Sequence, residues 1–468
     1  MPNKQVLSIA LLLSLPLFLA WLIRPFAPQS APVRPNILLI TADDLGHHLS
    51  SYGERRIATP NLDQLAAQGV RFDNAYVAQS SCSPSRAALL TGRWPHQNGQ
   101  IGLSHLGFHM NPGQPNLPAL LKANGYQIGI IGKLHVEPAK EFDFEWAPKG
   151  AWFDHRPTRD MQWVTEQAGE FMQWTQKSGR PFFLYVNYFD PHNPFSAETD
   201  QVNGLPEHPL KAEDIDSPLP FLVTGPNAKR QETAHFFNAV LRLDGGIKLL
   251  MDRLAAEGHA NDTIVIFTGD NGNDMARAKA WSYEAGVKVP LIVRWPGTAK
   301  AGLVRPELTS LLDLMPTLLQ AAGIEAPPGL AGQPLQPLLR GESPPWREFL
   351  FTEMNFHAPV QYRPQRTVRD DRYKLLLNLA PEQNQAPVEL YDLANDPDEL
   401  KNLAEDPDLA MERHRLEAAL QSWRADTADP LLDPDRLERW GQMATQWITR
   451  YKTSGALNIP KEELRLLE

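Results

Sequence analysis

One cysteine stands in 468 residues, inside the stretch Ser81-Cys82-Ser83-Pro84-Ser85-Arg86. The run that follows, residues 87–91, stops at Gly92, so the spacing predicts a short helix with Cys82 at its N-terminus. Free amides and the helix dipole favour an anion there. Proline is tolerated in a first helical turn, where its missing N–H had no partner to lose. Arg86, one turn on, faces the same side and adds a planar cationic fork. A lone cysteine is more often a small buried core residue, yet serine, proline and arginine are poor core neighbours. Other groups with chemistry to offer are scattered along the chain: Asp43 and Asp44, Lys133 and His135, His192, Asp270 and Asn271, and Lys279. Asp43, Asp44, Asp270 and Asn271 present only oxygen, a hard set that suits calcium or magnesium, and its mixture of carboxylate and amide favours calcium. Zinc would want more histidine or a second cysteine. A divalent ion and several cations around one nucleophile describe a site that transfers a tetrahedral oxyanion group.

Something must bring these residues together. Residues 36–42, 127–132, 181–187 and 263–268 are short apolar runs separated by helical stretches, the pattern of buried parallel strands in an α/β sheet. Each run ends in polar groups: Asp43-Asp44, Lys133 and His135, Asp190-Pro191-His192, and Asp270-Asn271. Open α/β sheets bind ligands beyond the carboxyl ends of their strands. Taken singly, each ending reads equally as an ordinary loop, with a solvated acid pair or a structural histidine. Four of them beside the Cys82 helix make a site. Helices are expected at 59–66, 117–124, 232–257 and 311–317, a further strand at 289–294, and an irregular proline-rich insertion at 195–228. The composition loosens over 327–345. Beyond it, residues 348–352, 365–369 and 373–379 alternate like an antiparallel sheet, and an amphipathic helix follows at 409–424. The expected organisation is therefore an N-terminal segment over 1–33, an α/β catalytic domain over 34–345, with a large sheet flanked by helices, and a smaller C-terminal subdomain over 346–468.

A formal charge of −10 argues against a nucleic-acid surface. With 42% hydrophobic and 21% charged residues the chain is ordinary globular material. Residues 6–23 are almost wholly apolar between Lys4 and Arg24, which predicts export, either by a cleaved signal or with an N-terminal membrane anchor. The expected destination is a periplasmic, extracellular or lysosome-like compartment. An unpaired thiol in an oxidising compartment needs explaining. Chemical conversion of Cys82 during biosynthesis is one explanation.

Cys82-Ser83-Pro84-Ser85-Arg86 resembles the C-x-P-x-R signature of the type I sulfatase family, and Leu89-Leu90-Thr91-Gly92 resembles its continuation. Asp43-Asp44, Gly132-Lys133-x-His135, Asp190-Pro191-His192 and Asp270-Asn271-Gly272 follow in that family's order, so the resemblance covers nearly the whole chain from Pro35 on. It implies an alkaline-phosphatase-like α/β fold with a smaller C-terminal domain. It also implies a Ca2+ ion held by Asp43, Asp44, Asp270, Asn271 and residue 82, and conversion of Cys82 to formylglycine by a maturation enzyme. Ser80-Ser81-Cys82, His96-Gln97-Asn98-Gly99, Ile130-Ile131-Gly132-Lys133, Ser310-Leu311-Leu312-Asp313-Leu314 and Glu389-Leu390-Tyr391-Asp392 resemble the heparan N-sulfatases (N-sulfoglucosamine sulfohydrolases, or sulfamidases) within that family. These carry arginine where this chain has Lys279.

The implied reaction removes sulfate from a sulfated sugar of heparan-type glycosaminoglycans. A hydrated formylglycine attacks sulfur, Arg86, Lys133 and Lys279 neutralise the sulfuryl oxygens, His192 protonates the leaving group, and His135 helps expel sulfate. His357 and Arg366 lie in a stretch resembling the sulfamidase substrate pocket and are expected to contact the sugar. Three rivals share these residues: a carbohydrate or aryl O-sulfatase, a phosphonate or phosphodiester hydrolase, and a sulfoglycan-binding pseudoenzyme.

Overall fold

β1 (Asn36–Ala42) is buried along its whole length. Ile37 and Leu39 face one core, with Leu90, Leu314 and Leu318; Leu38 and Ile40 face the other, with Phe237, Val240 and Leu243. Because both faces are covered, the strand reads as an unbroken apolar run. It lies at the centre of an eight-stranded mixed sheet in the order β3 (Gln127–Gly132), β4 (Phe182–Tyr188), β1, β5 (Thr263–Gly269), β6 (Lys288–Arg294), β2 (Val70–Tyr76) and β7 (Leu303–Arg305), with β8 (Thr309–Ser310) also on β2. The strands β3, β4, β1 and β5 are mutually parallel, so their carboxyl ends open on one edge. β6 runs antiparallel to both β5 and β2. Helices cover both faces of the large sheet, and a smaller antiparallel sheet lies towards the C-terminus.

Among the described residues the longer helices flanking these strands are α1 (Pro60–Gln68), α2 (Cys82–Thr91), α3 (Leu117–Ala123), α4 (Met161–Gln176), α5 (Pro226–Ala256) and α6 (Leu314–Ala321). The second sheet is a meander in the order β12 (Val388–Asp392), β11 (Tyr373–Asn378), β10 (Tyr362–Arg369) and β9 (Leu350–Phe356), followed by α7 (Ala410–Asp426) and α8 (Pro434–Ser454). Its edge docks on the segment leading to α2: Glu353 N–H donates to Ala78 O at 2.8 Å, and Gln79 Nε2 donates to Phe356 O at 2.9 Å. Ala78, Ala88, Trp94 and Leu312 share one apolar cluster with Val368, Leu375, Leu390 and Leu416. Residues from Pro35 onward form one compact unit.

The computed structural model describes residues 34–148, 157–195, 208–219, 226–359, 361–454, 461–464 and 467. The apolar segment 6–23 lies outside the described residues, as do 196–207 and 220–225 of the expected insertion. Among the described residues no helix is long and apolar enough to cross a membrane.

Candidate active site

The four parallel strands deliver their polar endings to one place. Asp43 and Asp44 leave β1, where Asp44 takes the left-handed backbone (φ 63°), an uncommon state for a non-glycine residue that turns the two acids away from the strand line. Gly132 closes β3 at φ 87°; a Cβ there would lie 2.2 Å from Asn187 O, so only glycine can make the turn that presents Lys133. α2 starts at Cys82 itself, with Ser81 at its N-cap and Gly92 (φ 63°) ending it. The thiol sits at the amino end of this helix, 3.6 Å from Asp43 Oδ1 and 3.8 Å from Asp44 Oδ1.

Charge is balanced in a volume nearly closed to water. Lys133 Nζ donates to Asp43 Oδ2 at 2.6 Å, and Lys279 Nζ donates to Asp44 Oδ2 at 2.7 Å. Arg86, fully buried, spreads its donors: Nε to Asp270 Oδ2 at 2.8 Å, and Nη1 to Lys133 O at 2.8 Å and Asn187 Oδ1 at 2.5 Å. Its Nη2 has no hydrogen-bond acceptor among the described residues and lies 3.8 Å from Asp43 Oδ1. His192 Nε2 is 3.5 Å from both Asp44 Oδ2 and Lys279 Nζ.

Burial pushes the Asp43 carboxyl up, but Lys133, His192, Arg86 and Lys279 together hold it well below the usual carboxylate range. Asp44 is lowered in the same way by Lys279 and His192 against its burial. Asp270 goes the other way: burial, then the charge of Asp43, raise it to about 7 in spite of Arg86. Burial also raises the Cys82 thiol, Lys133 and Lys279 only partly offsetting it. A thiol so placed stays protonated at neutral pH and is a poor nucleophile.

Ligand atoms of Asp43, Asp44, Cys82 and His192 lie within 4.8 Å of one another, an arrangement that could hold a metal ion. Asp270 joins this group through the Asp44 N–H, which donates to its Oδ1 at 3.0 Å. Asn271 joins through its Nδ2, which donates to Asp44 Oδ1 at 2.7 Å and to Gly272 O at 2.8 Å. Its Oδ1 is buried, with no hydrogen-bond partner among the described residues. An orphaned carbonyl beside three carboxylates is what a hard, oxygen-seeking cation would satisfy.

Asp43, Asp44, Cys82, Arg86, Lys133, His192, Asp270, Asn271 and Lys279 thus form one cluster. His135 stands beside it, its imidazole lowered well below the ordinary value by burial and then by Lys133. His357 reaches it through Ser81, with Nδ1 2.9 Å from Ser81 Oγ, and burial followed by Lys279 lowers it to about 3. Arg366 is elsewhere. It is fully buried, its Nε and Nη2 forking onto Asp429 at 3.0 and 2.8 Å and its Nη1 donating to Gln365 O and Met354 O. No donor nitrogen of Arg366 is left for a sugar, and its partner is another part of the fold.

Two supports escaped the sequence reading. Thr41 and Asn187 pair across β1 and β4 and hold each other and Arg86 Nη1; a hydroxyl and an amide inside all-buried strands were the signal. His105, which touches His135, sits in a loop that carried none.

The sequence profile of the Sulfatase family matches residues 35–324. A profile described as N-sulphoglucosamine sulphohydrolase, C-terminal, matches residues 275–426. Over 373 residues the chain is 35% identical to N-sulphoglucosamine sulphohydrolase of Homo sapiens, covering 74% of this chain and 73% of that relative. Among solved structures it is similar to a protein in complex with its substrate D-glucosamine-2-N,6-O-disulfate, with TM-score 0.69, 23% identity, and 85% and 98% of the two chains covered. It is also similar to the phosphonate monoester hydrolase of Agrobacterium radiobacter, with TM-score 0.67, 24% identity, and 84% and 96% covered. At those identities the two structures speak to the fold alone.

Proposed function

The chain belongs to the sulfatase family, and we propose that it hydrolyses the N-linked sulfate of glucosamine in heparan-type glycans, using a formylglycine made from Cys82 and a bound calcium. The observation that carries this reading is the setting of Cys82. The thiol heads a helix and is ringed by cations suited to an anionic substrate, yet burial and two carboxylates 3.6 and 3.8 Å away keep it from ionising. A site built for an oxyanion around a sulfur that cannot attack makes sense if the sulfur is replaced.

The donor set fits calcium: carboxylates of Asp43, Asp44 and Asp270 and the unsatisfied Oδ1 of Asn271 would hold it. When bound, it would supply charge that acidifies an adjacent hydroxyl and draws an oxyanion. Formylglycine would supply, as its hydrate, one hydroxyl to receive the sulfuryl group and a second whose deprotonation releases sulfate without attack by water.

The remaining work falls to side chains described above. Lys133, Lys279 and the free Nη2 of Arg86 donate to sulfuryl oxygens as their charge grows. His192 Nδ1 is bonded to Asn193 O, which places its neutral-state proton on Nδ1 and leaves Nε2 as acceptor beside Lys279. A proton arriving at Nε2 is the one handed to the departing nitrogen. His135 takes the second hydroxyl proton, and His357, braced by Ser81, borders the space for the sugar. In this reading residues 34–345 carry the chemistry and 346–468 form the subdomain that contributes His357. Residues 1–33 direct export or anchor the chain, and a maturation enzyme acts on Cys82 along that route.

Mass spectrometry of the Cys82 peptide from active protein tests the nucleophile: a loss of the thiol mass in favour of an aldehyde is expected, and an intact thiol in fully active enzyme refutes it. Sulfate release from glucosamine N-sulfate, compared with glucosamine 6-O-sulfate and an aryl phosphonate ester, tests the substrate. The N-sulfate is expected to be cleaved fastest, and a faster O-sulfate or phosphonate reassigns the specificity.

A further inference from the structure

His105 lies in a short 3-10 turn (Ser104–Leu106) between α2 and α3. Its Nδ1 is 2.7 Å from His135 Nε2. The two rings are inclined by only 21° with centroids 4.9 Å apart. At that nitrogen separation they meet edge to edge and nearly coplanar, which puts the N–H of one in line with the lone pair of the other. Two imidazoles joined this way hold one proton between them, since one nitrogen must donate and the other accept.

The outer ends of the pair differ. His135 Nδ1 is buried, with no hydrogen-bond partner among the described residues, and the ring lies close enough to Lys133, Asp43 and Arg86 to feel their charges. His105 is exposed. The pair therefore runs from the reaction centre to water. Lys133 and Lys279 face His105, and Lys133 and Arg86 face His135, with Asp43 the opposing acid; His357 lies within reach of His105's charge. Burial and these cations lower both imidazoles, so each stays neutral at neutral pH with a single proton to pass on.

We propose that His105 is the outer half of a proton relay: a proton accepted at His135 Nδ1 sends the Nε2 proton of His135 to His105 Nδ1, and His105 Nε2 releases its own proton to solvent. One proton enters and one leaves, and the two rings exchange tautomers. The reverse passage, in from water at His105 Nε2 and out at His135 Nδ1, would reset them as water adds to the aldehyde, the delivered proton going to the former carbonyl oxygen while the added water gives one up to solvent. This rests on the sulfatase reading, in which His135 removes a hydroxyl proton at residue 82 once per turnover.

The test uses the full chain with His105→Phe, which keeps a ring but no nitrogen, and His105→Asn, which can hydrogen-bond to His135 but cannot hand a proton on. Glucosamine N-sulfate is the substrate, with glucosamine and sulfate assayed separately. Both variants are expected to release about one equivalent of glucosamine in a burst and then turn over roughly 10- to 100-fold more slowly, with KM falling in proportion and kcat/KM little changed, because only the step after glucosamine departs is impaired. A second readout needs no turnover: 15N NMR of the histidine side chains in protein with unconverted Cys82. Wild-type His105 and His135 should titrate as a coupled pair, and His135 alone in His105→Asn. Wild-type turnover in both variants, or full recovery in His105→Asn alone, overturns the relay, the second result leaving His105 as a positioning residue only. A wild-type enzyme without sulfatase turnover would sink the reading of the site, and coupled or independent titration would still decide the pair.

Discussion

Calcium should bind this site far more weakly in mild acid, and Asp270 is the reason. Three buried carboxyls crowd the site, but only Asp270 is raised, to about 7, by burial and by Asp43; Asp43 and Asp44 are held low by the lysines and His192. In ion-free protein below pH 7 one proton therefore sits on Asp270, and an arriving ion must expel it. An acid raised above its unfolded value stabilises the ion-free fold at low pH, and that contribution is lost as pH climbs from about 4 to about 7. The interval is worth on the order of 4 kcal/mol. The same proton competes with the ion at up to about 1.4 kcal/mol per pH unit, and since Asp270 is half protonated at pH 7 the affinity should fall roughly 50-fold between pH 7 and pH 5. His192, lowered by burial, is already neutral over the upper part of this range and adds little to the slope. Isothermal titration calorimetry in two buffers of different ionisation heat counts the protons: about one released per ion at pH 6 and none at pH 8. Asp270→Asn should bind weakly and without this slope. Equal affinity at pH 5 and pH 7 in the wild type, or an undiminished slope in Asp270→Asn, would refute the reasoning.

Cys82→Ala should release no sulfate yet melt within a few degrees of wild type, since the substitution removes one buried sulfur whose hydrogen bonds among the described residues are two long ones; a steady-state sulfate assay and a thermal melt check both halves. Lys279→Met should cut kcat/KM by about 100-fold, whereas Lys279→Arg keeps a cation on Asp44 and should retain most of the activity; steady-state kinetics on glucosamine N-sulfate separate them. Arg366→Met removes the fork on buried Asp429 but leaves it paired with Arg424 at 2.7 Å, and should destabilise the fold by about 1–3 kcal/mol. Its KM, measured well below the melting temperature, should not move, and a large rise in KM would return Arg366 to the substrate pocket.

The strands that carry the site were legible because burial on both faces leaves them largely apolar. β1 and β3 fall on residues 36–42 and 127–132, the bounds that the apolar runs gave. β2 escaped notice because it alternates buried and half-buried positions as Val-Arg-Phe-Asp-Asn and shifts register against β6 between Phe72 and Ala75. α8 escaped too, its long polar surface burying only Trp440, Ala444 and Trp447. A residue's type and its place at the end of a strand are local facts; its partner is not. Arg366 sits in a strand that looks half-exposed, yet it answers to Asp429, 63 residues away.

The same distinction explains which parts of the site stayed hidden. A strand ending announces a group that will meet the ligand, while the group that steadies it comes from a neighbouring strand or a distant loop. Thr41 is the exception that shows the rule, because it and Asn187 interrupt runs otherwise apolar and are paired by strand register alone. Once β1 and β4 are known to be parallel neighbours, two polar side chains at the same level beneath Arg86 follow from the pleat. Their contact with Arg86 Nη1 makes the arginine a fixed part of the floor, leaving Nη2 free of a hydrogen bond. His105 has no such register to betray it, since a loop fixes no neighbour in advance, and only the folded chain brings its Nδ1 to His135.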